Sequence, residues 1–267
     1  MGAEWVPDGI DLERPSAARI YDYLLGGSHN FAVDRDVARA AIAAMPDVAI
    51  QAQANRAFLH RAVRYLATIG VHQFLDLGSG IPTLGSVHEI AQGVAPDARV
   101  VYVDIDPVAV AHSRHLLDGN DAATVLHHDL RRPDRILADV ELHTVLDLER
   151  PVAVLALAVL HAMSDADDPG GVIARFRDAL APGSFLVIAH GADSSSLEET
   201  KRLVEISART PTPLNLRTAA EIRVLFDGFE LVEPGLVWAP LWHPEHPDDL
   251  PERPERSGNL VGVGRKR

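Results

Sequence analysis

Apolar residues in the first 70 positions recur every three or four residues, the spacing that places them on one face of a helix. The longest series, with Asp47 upstream as a candidate N-cap, comprises Ile50, Ala54, Ala57, Phe58, Ala62, Tyr65, Leu66 and Ile69. Two shorter helices are predicted before it, at residues 16–25 and 33–44. Residues 1–70 are therefore predicted to form a helical N-terminal cap that belongs to the same domain as the rest of the chain.

From residue 73 the pattern changes to short apolar runs that alternate with helical segments, which is typical of βαβ units and a parallel sheet. Strands are predicted at residues 73–77, 99–104, 124–127, 152–158, 185–190, 229–233 and 259–264. Prolines recur throughout residues 234–254, and their spacing forbids regular structure. We therefore expect an α/β core over residues 71–267 and a long surface loop before its last strand.

A glycine turn follows the first predicted strand, which carries Asp76, and this turn consists of Gly78, Ser79 and Gly80. Glycines between a strand and a helix let a ligand approach backbone amides near the positive end of the helix dipole. Open α/β sheets bind ligands beyond the carboxyl ends of their strands. The turn, with Pro82 as an early helical residue, is therefore a candidate binding site, although tight turns also need glycine for steric reasons.

Acidic residues follow the next two predicted strands. Asp104 is suited to accept hydrogen bonds from both hydroxyls of a ribose, since Asp106 is the better N-cap for the following helix. Asp129 is suited to accept from the amino group of an adenine, with Leu130 against the base; an acid exposed in a loop is the alternative. Together these positions favour a nucleoside ligand.

The third glycine of the dinucleotide fingerprint is missing from this turn. That fingerprint reads Gly-x-Gly-x-x-Gly, and this chain has Thr83 at the last position. A nucleoside without phosphates needs only Gly78, Gly80 and the acids. S-adenosylmethionine fits that description better than NAD does.

Composition removes several classes of function. The chain has 38 acidic residues and 25 lysines and arginines, so its formal charge of −13 disfavours nucleic acid and anionic membranes as partners. Cysteine is absent, which excludes thiolate metal sites and a cysteine nucleophile, including the covalent mechanism of C5-cytosine methylation. The histidines lack a convincing metal-ligand spacing, so no metal is predicted.

The longest apolar run, residues 152–160, is far shorter than the roughly 20 residues of a membrane helix. The first residues lack the basic and apolar regions of a secretory signal. A cytoplasmic protein with a small-molecule partner is therefore predicted, and its oligomeric state is left open.

Four segments stand in an order that resembles the class I S-adenosylmethionine-dependent methyltransferases. They are Phe74-Leu75-Asp76-Leu77-Gly78-Ser79-Gly80, Val101-Tyr102-Val103-Asp104, Asp129-Leu130 and Leu180-Ala181-Pro182-Gly183-Ser184. A narrower resemblance, to a little-characterised bacterial family labelled S-adenosyl methyltransferase, spans nearly the whole chain. It includes Arg19-Ile20-Tyr21-Asp22-Tyr23-Leu24-Leu25-Gly26-Gly27, Asn30-Phe31 and Ala54-Asn55-Arg56-Ala57-Phe58.

The resemblance implies a Rossmann-like fold: a seven-stranded, mostly parallel sheet with the last strand antiparallel and helices on both faces. It also implies S-adenosylmethionine as cofactor and S-adenosylhomocysteine as product. The residues it assigns to the cofactor are Asp76, Gly78, Ser79 and Gly80 for the methionine end and ribose, Asp104 for the ribose hydroxyls with Ile105 beside it, and Asp129 and Leu130 for the adenine. It identifies no acceptor.

Two further features concern catalysis and access. His161, just past the fourth predicted strand, is the candidate general base because an ordinary pKa of about 6.5 suits proton transfer; a half-buried histidine bonded to the backbone is the alternative. The N-terminal segment of this fold class commonly covers the cleft, so we expect Tyr21 or Tyr23 to face the cofactor; tyrosines packed onto the sheet are the alternative.

The predicted function is methyl transfer to a small molecule. A non-catalytic S-adenosylmethionine-binding or sensing protein and an NAD-dependent oxidoreductase are the alternatives.

Overall fold

The computed structural model describes residues 12–82, 85–193, 197–246 and 250–267. The α-helices of these residues are α1 (Ala17–Leu24), α2 (Ala32–Ala44), α3 (Val48–Thr68), α4 (Val87–Val94), α5 (Pro107–Leu116), α6 (Pro133–Leu137), α7 (Val140–Val145), α8 (Pro169–Ala179), α9 (Leu197–Ser207) and α10 (Ala219–Val224). Their strands are β1 (Gln73–Leu77), β2 (Arg99–Asp104), β3 (Ala123–His127), β4 (Ala153–Leu157), β5 (Phe185–Gly191), β6 (Phe229–Leu231), β7 (Val237–Trp238) and β8 (Asn259–Lys266).

The strands form one sheet in the order β3-β2-β1-β4-β5-β8-β6, and β7 pairs with β8 beside this path. Strands β1 to β5 are parallel, whereas β8 runs antiparallel to both β5 and β6. The parallel strands are continuous apolar runs because helices cover both of their faces. The predicted α/β fold, its mostly parallel sheet and its antiparallel last strand are confirmed, but the described sheet has eight strands and not seven, because β7 forms within the proline-rich stretch and pairs with β8.

Two hydrophobic layers flank the sheet. On one face α3 and α5 pack against the strands through residues such as Phe58 and Val110. On the other face α7 and α8 pack through residues such as Leu142 and Phe176. Since Phe58 lies in the same buried cluster as Phe74 of β1, the longest helix of the predicted N-terminal cap contributes to the main core.

The proline-rich stretch before β8 is not the bare surface loop that its prolines predict. It contains β7 and a short 3-10 helix, Ala239–Leu241, and the indole of Trp242 is fully buried. Trp242 meets Phe58 and Tyr65 edge-on, with ring centroids 5.3 and 5.5 Å away. Arg61 of α3 donates to two backbone carbonyls of the stretch at 2.7 and 2.8 Å. The buried indole of Trp242 and the hydrogen bonds from Arg61 thus fix the proline-rich stretch, in which proline limits strand pairing.

Helix α4 begins later than predicted. Pro82 is expected to be an early helical residue, but the helix starts at Val87 after Ser86. The backbone N–H of Ser86 donates to the carboxylate of Glu89 at 2.9 Å, which satisfies one of the free amides at this helix end. The glycine turn at residues 78–80 is therefore separated from the helix, and its amides do not lie at a helix N-terminus.

Candidate active site

A cavity of about 1200 Å³ lies at the carboxyl ends of β1, β2, β4 and β5, and residues of α1, α2, α3 and α9 line its other walls. Of the residues that the sequence assigns to the site, those lining it are Tyr21, Asp76, Gly78, Ser79, Gly80, Asp104, Ile105, Asp129, Leu130 and His161. Tyr23 is the exception. The fold therefore brings together positions that are up to 140 residues apart in sequence, from Tyr21 to His161.

The glycine turn at residues 78–80 lines the cavity and has room for a ligand beside its backbone. Gly78 and Gly80 have φ values of +68° and +67°, a region that other residues rarely adopt. A Cβ on Gly78 would lie 2.3 Å from Val159 Cγ2, whereas a Cβ on Gly80 would meet no atom within 4 Å. Between them, the buried Ser79 Oγ has no hydrogen-bond partner within the described residues. The turn thus presents an unsatisfied hydroxyl beside open space.

Asp104 ties the end of β2 to this turn. One carboxylate oxygen accepts from the backbone N–H of Gly80 at 2.7 Å, and the other accepts from that of Asp106 at 2.8 Å. Burial raises the pKa of Asp104 to about 6, so the group is mainly ionised at neutral pH. Each oxygen keeps a lone pair for a ligand hydroxyl. Asp106 itself caps α5, accepting from Val108 N at 2.7 Å, as predicted.

Asp76 is the second buried carboxyl of the site. Burial raises the pKa of Asp76 to about 7; the charge of Arg56 opposes this shift and that of Asp104 adds to it. Arg56 comes from α3 and also donates to the Gly85 carbonyl at 3.0 Å. Although its segment belongs to the family resemblance, the sequence assigns Arg56 no role. The signal available was its position on the helix, where it shares the cavity with Ala52 and Leu59.

Tyr21 and Tyr23 lie on different sides of α1. The Tyr21 hydroxyl donates to the Ala52 carbonyl at 3.1 Å and accepts from Asn55 Nδ2 at 2.8 Å, at the wall of the cavity. The Tyr23 ring lies 6.0 Å from the Arg39 guanidinium. Residues two apart on a helix are separated by about 200° around its axis, so both could not face the cavity. Of this pair, Tyr21 lines the cavity and stays the candidate to face the cofactor.

Asp129 and Leu130 line the cavity beyond β3. Both oxygens of Asp129 accept from the Arg131 guanidinium, at 2.7 to 3.0 Å. Burial opposes ionisation, but these hydrogen bonds hold the pKa of Asp129 below its usual range. Asp129 is thus a paired, ionised acid and not a free loop carboxylate, while Leu130 packs against the core cluster on that face of the sheet.

His161 lies in a short 3-10 helix, Leu160–Ala162, directly after β4. Its Nδ1 accepts from the backbone N–H of Gly191 at 3.3 Å, and its carbonyl accepts from that of Asn215 at 2.7 Å. Burial, with smaller effects of His190 and Arg217, lowers the pKa of His161 to about 3. The ring is therefore neutral at physiological pH and a weak base. These contacts match the backbone-bonded alternative more closely than the general base.

The cavity continues past the strand ends into a second part, here called the apolar arm. The arm is lined by Val37, Ala41, Met45, Val48, Leu203, Ile206, Leu214 and Leu216. Two residues of the cavity wall have a buried side-chain oxygen without a hydrogen-bond partner in the described chain: Asn55 Oδ1 and Thr212 Oγ1. Burying such atoms unpaired costs about 1–3 kcal/mol each, so they are suited to meet a ligand.

No group of three or more His, Asp or Glu side chains that could hold a metal ion is found in residues 12–82, 85–193, 197–246 and 250–267. Over the same residues no helix is both long and apolar enough to cross a bilayer.

The sheet order, the glycine turn after β1 and the carboxylate that ends β2 are those of a class I methyltransferase fold. The sequence model of one family, described as S-adenosyl methyltransferase, matches residues 3–267. The chain belongs to this family. It is a methyltransferase whose cofactor is S-adenosylmethionine, which confirms the predicted enzyme class and cofactor.

Solved structures agree with this assignment. A candidate methyltransferase from Thermobifida fusca is 42% identical, with a TM-score of 0.92, over 98% of this chain and 99% of its own. A DUF574 family protein from Streptomyces avermitilis is 39% identical, also with a TM-score of 0.92, over 96% of this chain and 99% of its own. Human N-acetylserotonin methyltransferase, solved with S-adenosylmethionine, shares the fold at 14% identity and a TM-score of 0.51, over 95% of this chain and 63% of its own. No curated protein matches the chain.

The residues present fit this cofactor. Ser79 Oγ is an unsatisfied polar atom at the turn, Gly80 leaves room where a side chain would intrude, and Asp104 keeps free lone pairs. S-adenosylmethionine has a neutral ribose and a positively charged sulfur, and both suit a site whose nearest acidic residues are Asp76 and Asp104.

Proposed function

We propose that this enzyme transfers the methyl group of S-adenosylmethionine to a small molecule held in the apolar arm. The observation that carries the proposal is that one cavity joins the glycine turn to the arm. Its volume of about 1200 Å³ exceeds the roughly 300–1,000 Å³ of an ordinary ligand pocket, which leaves room for an acceptor beside the cofactor. The charge of −13 supports a small molecule over nucleic acid.

The proposed cofactor contacts follow the chemistry of each lining residue. Asp104 accepts from the ribose hydroxyls, and Asp76 with the turn at residues 78–80 holds the methionine end. Asp129 and Leu130 hold the adenine, with Ile105 at its edge. Tyr21 covers the site from α1. Supporting this arrangement, these groups all line the same cavity.

When bound, S-adenosylmethionine supplies a methyl group on a positively charged sulfur; the acceptor provides the electron pair of the new bond, and the electrons of the broken carbon–sulfur bond stay on sulfur. The residues of the chain align the acceptor with the methyl group. A proton released by the acceptor passes to solvent.

We propose further that residues 12–70 form a cap within the same domain as the core that begins at residue 71; residues 1–11 of the predicted cap lie outside the described residues. Arg19 of α1 lies 3.2 Å from the buried Asp34 carboxylate of α2 and 4.0 Å from Asp106, next to the cofactor end of the cavity. Ser16 also donates a hydrogen bond to Asp106. These contacts connect the cap to the loop between β2 and α5.

Calorimetry and a methyl-transfer screen test the proposal. S-adenosylmethionine and S-adenosylhomocysteine should bind, and NAD should not. Small apolar acceptors should then yield S-adenosylhomocysteine in a screen that includes RNA, DNA and a protein extract. Methyl transfer only to a macromolecule would exclude the small-molecule acceptor, and cofactor binding without transfer to any class would favour the sensing alternative.

A further inference from the structure

His161 belongs to the cavity wall, and one nitrogen of its ring is hydrogen-bonded to the backbone. A neutral imidazole has one N–H and one acceptor nitrogen, and which is which follows from its hydrogen bonds. Since Nδ1 of His161 accepts from Gly191 N–H, the proton resides on Nε2. Nε2 has no hydrogen-bond partner within the described residues, and the ring lines the cavity. The side chain therefore offers the cavity a donor, not a base.

A buried arginine holds the backbone on both sides of His161. The Arg217 guanidinium donates to the carbonyls of Leu160 and Met163 at 3.2 and 3.0 Å. It also donates to His190 Nε2 at 3.0 Å and to the Asp165 carboxylate at 2.8 Å. Four acceptors thus share one planar group, which fixes the 3-10 helix in place. Arg217 itself is absent from the cavity wall.

The groups around the ring keep its proton on Nε2. His190 donates from Nδ1 to the Gly191 carbonyl at 2.8 Å and accepts from Arg217, so it is neutral as well. The two imidazoles meet edge-on, with centroids 5.8 Å apart. The positive charge behind them belongs to Arg217, which is paired with Asp165. No carboxylate is hydrogen-bonded to the His161 ring in the described chain, so nothing there favours an imidazolium.

We propose that His161 donates a hydrogen bond from Nε2 to the methyl acceptor and that Arg217 is the positioning residue for it. This inference rests on the proposed function, because it concerns the acceptor in the same cavity. It also names the class of acceptor: a mostly apolar molecule that presents an oxygen or nitrogen lone pair to the Nε2–H.

The apolar arm supports the same class. Thr212 Oγ1 is buried without a partner on the segment that also bonds the His161 carbonyl through Asn215. Leu214 and Leu216, from the same segment, supply apolar wall. A ligand that fills this region must satisfy two polar groups while burying a mainly hydrocarbon surface.

Nitrogen-15 NMR of the histidine side chains tests the tautomer without any acceptor. In the protein bound to S-adenosylhomocysteine, we expect His161 to show a protonated Nε2 and an unprotonated Nδ1 from about pH 5.5 to about pH 8. His161→Phe assigns the signals by their loss. A neutral ring with its proton on Nδ1 and none on Nε2 would overturn the donor role, and this result does not depend on whether the enzyme transfers a methyl group.

The Arg217→Lys variant tests positioning, with Arg223→Lys on the exposed face of α10 as the matched control. Lysine keeps the charge but loses the planar fork that reaches four acceptors. We expect the His161 Nε2 signal to shift or split in Arg217→Lys only, with S-adenosylhomocysteine affinity within about twofold of the native enzyme. An unchanged His161 signal in a folded Arg217→Lys protein would refute the positioning role.

Acetophenone and ethylbenzene are a matched pair of probes for the donor, since they differ in a carbonyl oxygen. On the enzyme loaded with S-adenosylhomocysteine, acetophenone should shift the His161 Nε2–H signal and bind about fivefold more tightly than ethylbenzene. His161→Gln, whose amide nitrogen reaches the position of Nε2, should keep that preference, whereas His161→Phe should lose it. Equal binding of both probes to the native enzyme, without a shift at Nε2, would overturn the proposal.

Discussion

Replacing Asp104 with asparagine tests the proposed ribose contact while keeping the shape of the side chain. In the native protein the carboxylate accepts from the N–H groups of Gly80 and Asp106 at 2.7 and 2.8 Å. Asparagine keeps one acceptor oxygen but places an amide donor at the other position, and it removes the charge. Both ribose hydroxyls would then lose a charged acceptor.

The expected loss follows from the number of hydrogen bonds. A hydrogen bond to a charged group contributes about 1.5–3 kcal/mol, so two such bonds correspond to about 3–6 kcal/mol. This is roughly a 100- to 10,000-fold rise in the Kd for S-adenosylhomocysteine. The upper part of the range applies if the new amide group also repels the Asp106 N–H.

Titration calorimetry with S-adenosylhomocysteine measures the effect, and thermal unfolding shows whether the variant is folded. Asp118→Asn is the matched control, because Asp118 is exposed after α5 and does not line the cavity. It should bind like the native protein. A folded Asp104→Asn protein whose Kd lies within about threefold of the native value would refute the ribose contact.

Three other changes have defined outcomes. Burial raises the pKa of Asp104 to about 6, so its carboxylate is ionised above that pH and neutral below it. The affinity for S-adenosylhomocysteine, measured by calorimetry, should therefore fall as the pH drops through about 6. An affinity that does not change with pH would contradict the contact between Asp104 and the ribose. Gly78→Ala should destabilise the protein by about 1–3 kcal/mol more than Gly80→Ala in urea unfolding, because both residues have positive φ but only the first Cβ meets Val159, at 2.3 Å. Equal losses would show that packing is not the cause. Arg19→Met should lower the free energy of unfolding by roughly 3 kcal/mol in the same assay, because it leaves the fully buried carboxylate of Asp34 without its ion pair at 3.2 Å. A loss under about 0.5 kcal/mol would mean that the backbone N–H groups that donate to Asp34 are sufficient to stabilise it.

Local patterns were sufficient to predict several residues that line the cavity. Asp104 and the turn at residues 78–80 each follow directly from a strand, and strand ends meet at one edge of a parallel sheet. The choice between Tyr21 and Tyr23 is also local, since the helical period places the two side chains on different sides of α1. In both cases the information lies within a few residues of the side chain concerned.

The remaining features depend on contacts between distant segments. Arg217 reaches Leu160 across 57 positions, and Arg61 reaches Trp242 across 181. No periodicity in either segment indicates such a pairing. Trp242 lies among prolines, where the hydrophobic pattern has no regular spacing, so its burial against α3 could not be predicted from that pattern.

The hydrogen bonds around Asp104 also connect the cofactor end of the cavity to the N-terminal cap. Asp104 accepts from the N–H of Asp106, and the carboxylate of Asp106 accepts from Ser16, just before α1. Arg19 of α1 lies 4.0 Å from the same carboxylate. A displacement of α1 would therefore disturb Asp106 and, through its backbone, the carboxylate proposed to hold the ribose. Because a ligand stabilises the state to which it binds, cofactor binding and the observed contacts of α1 with Asp106 should stabilise each other.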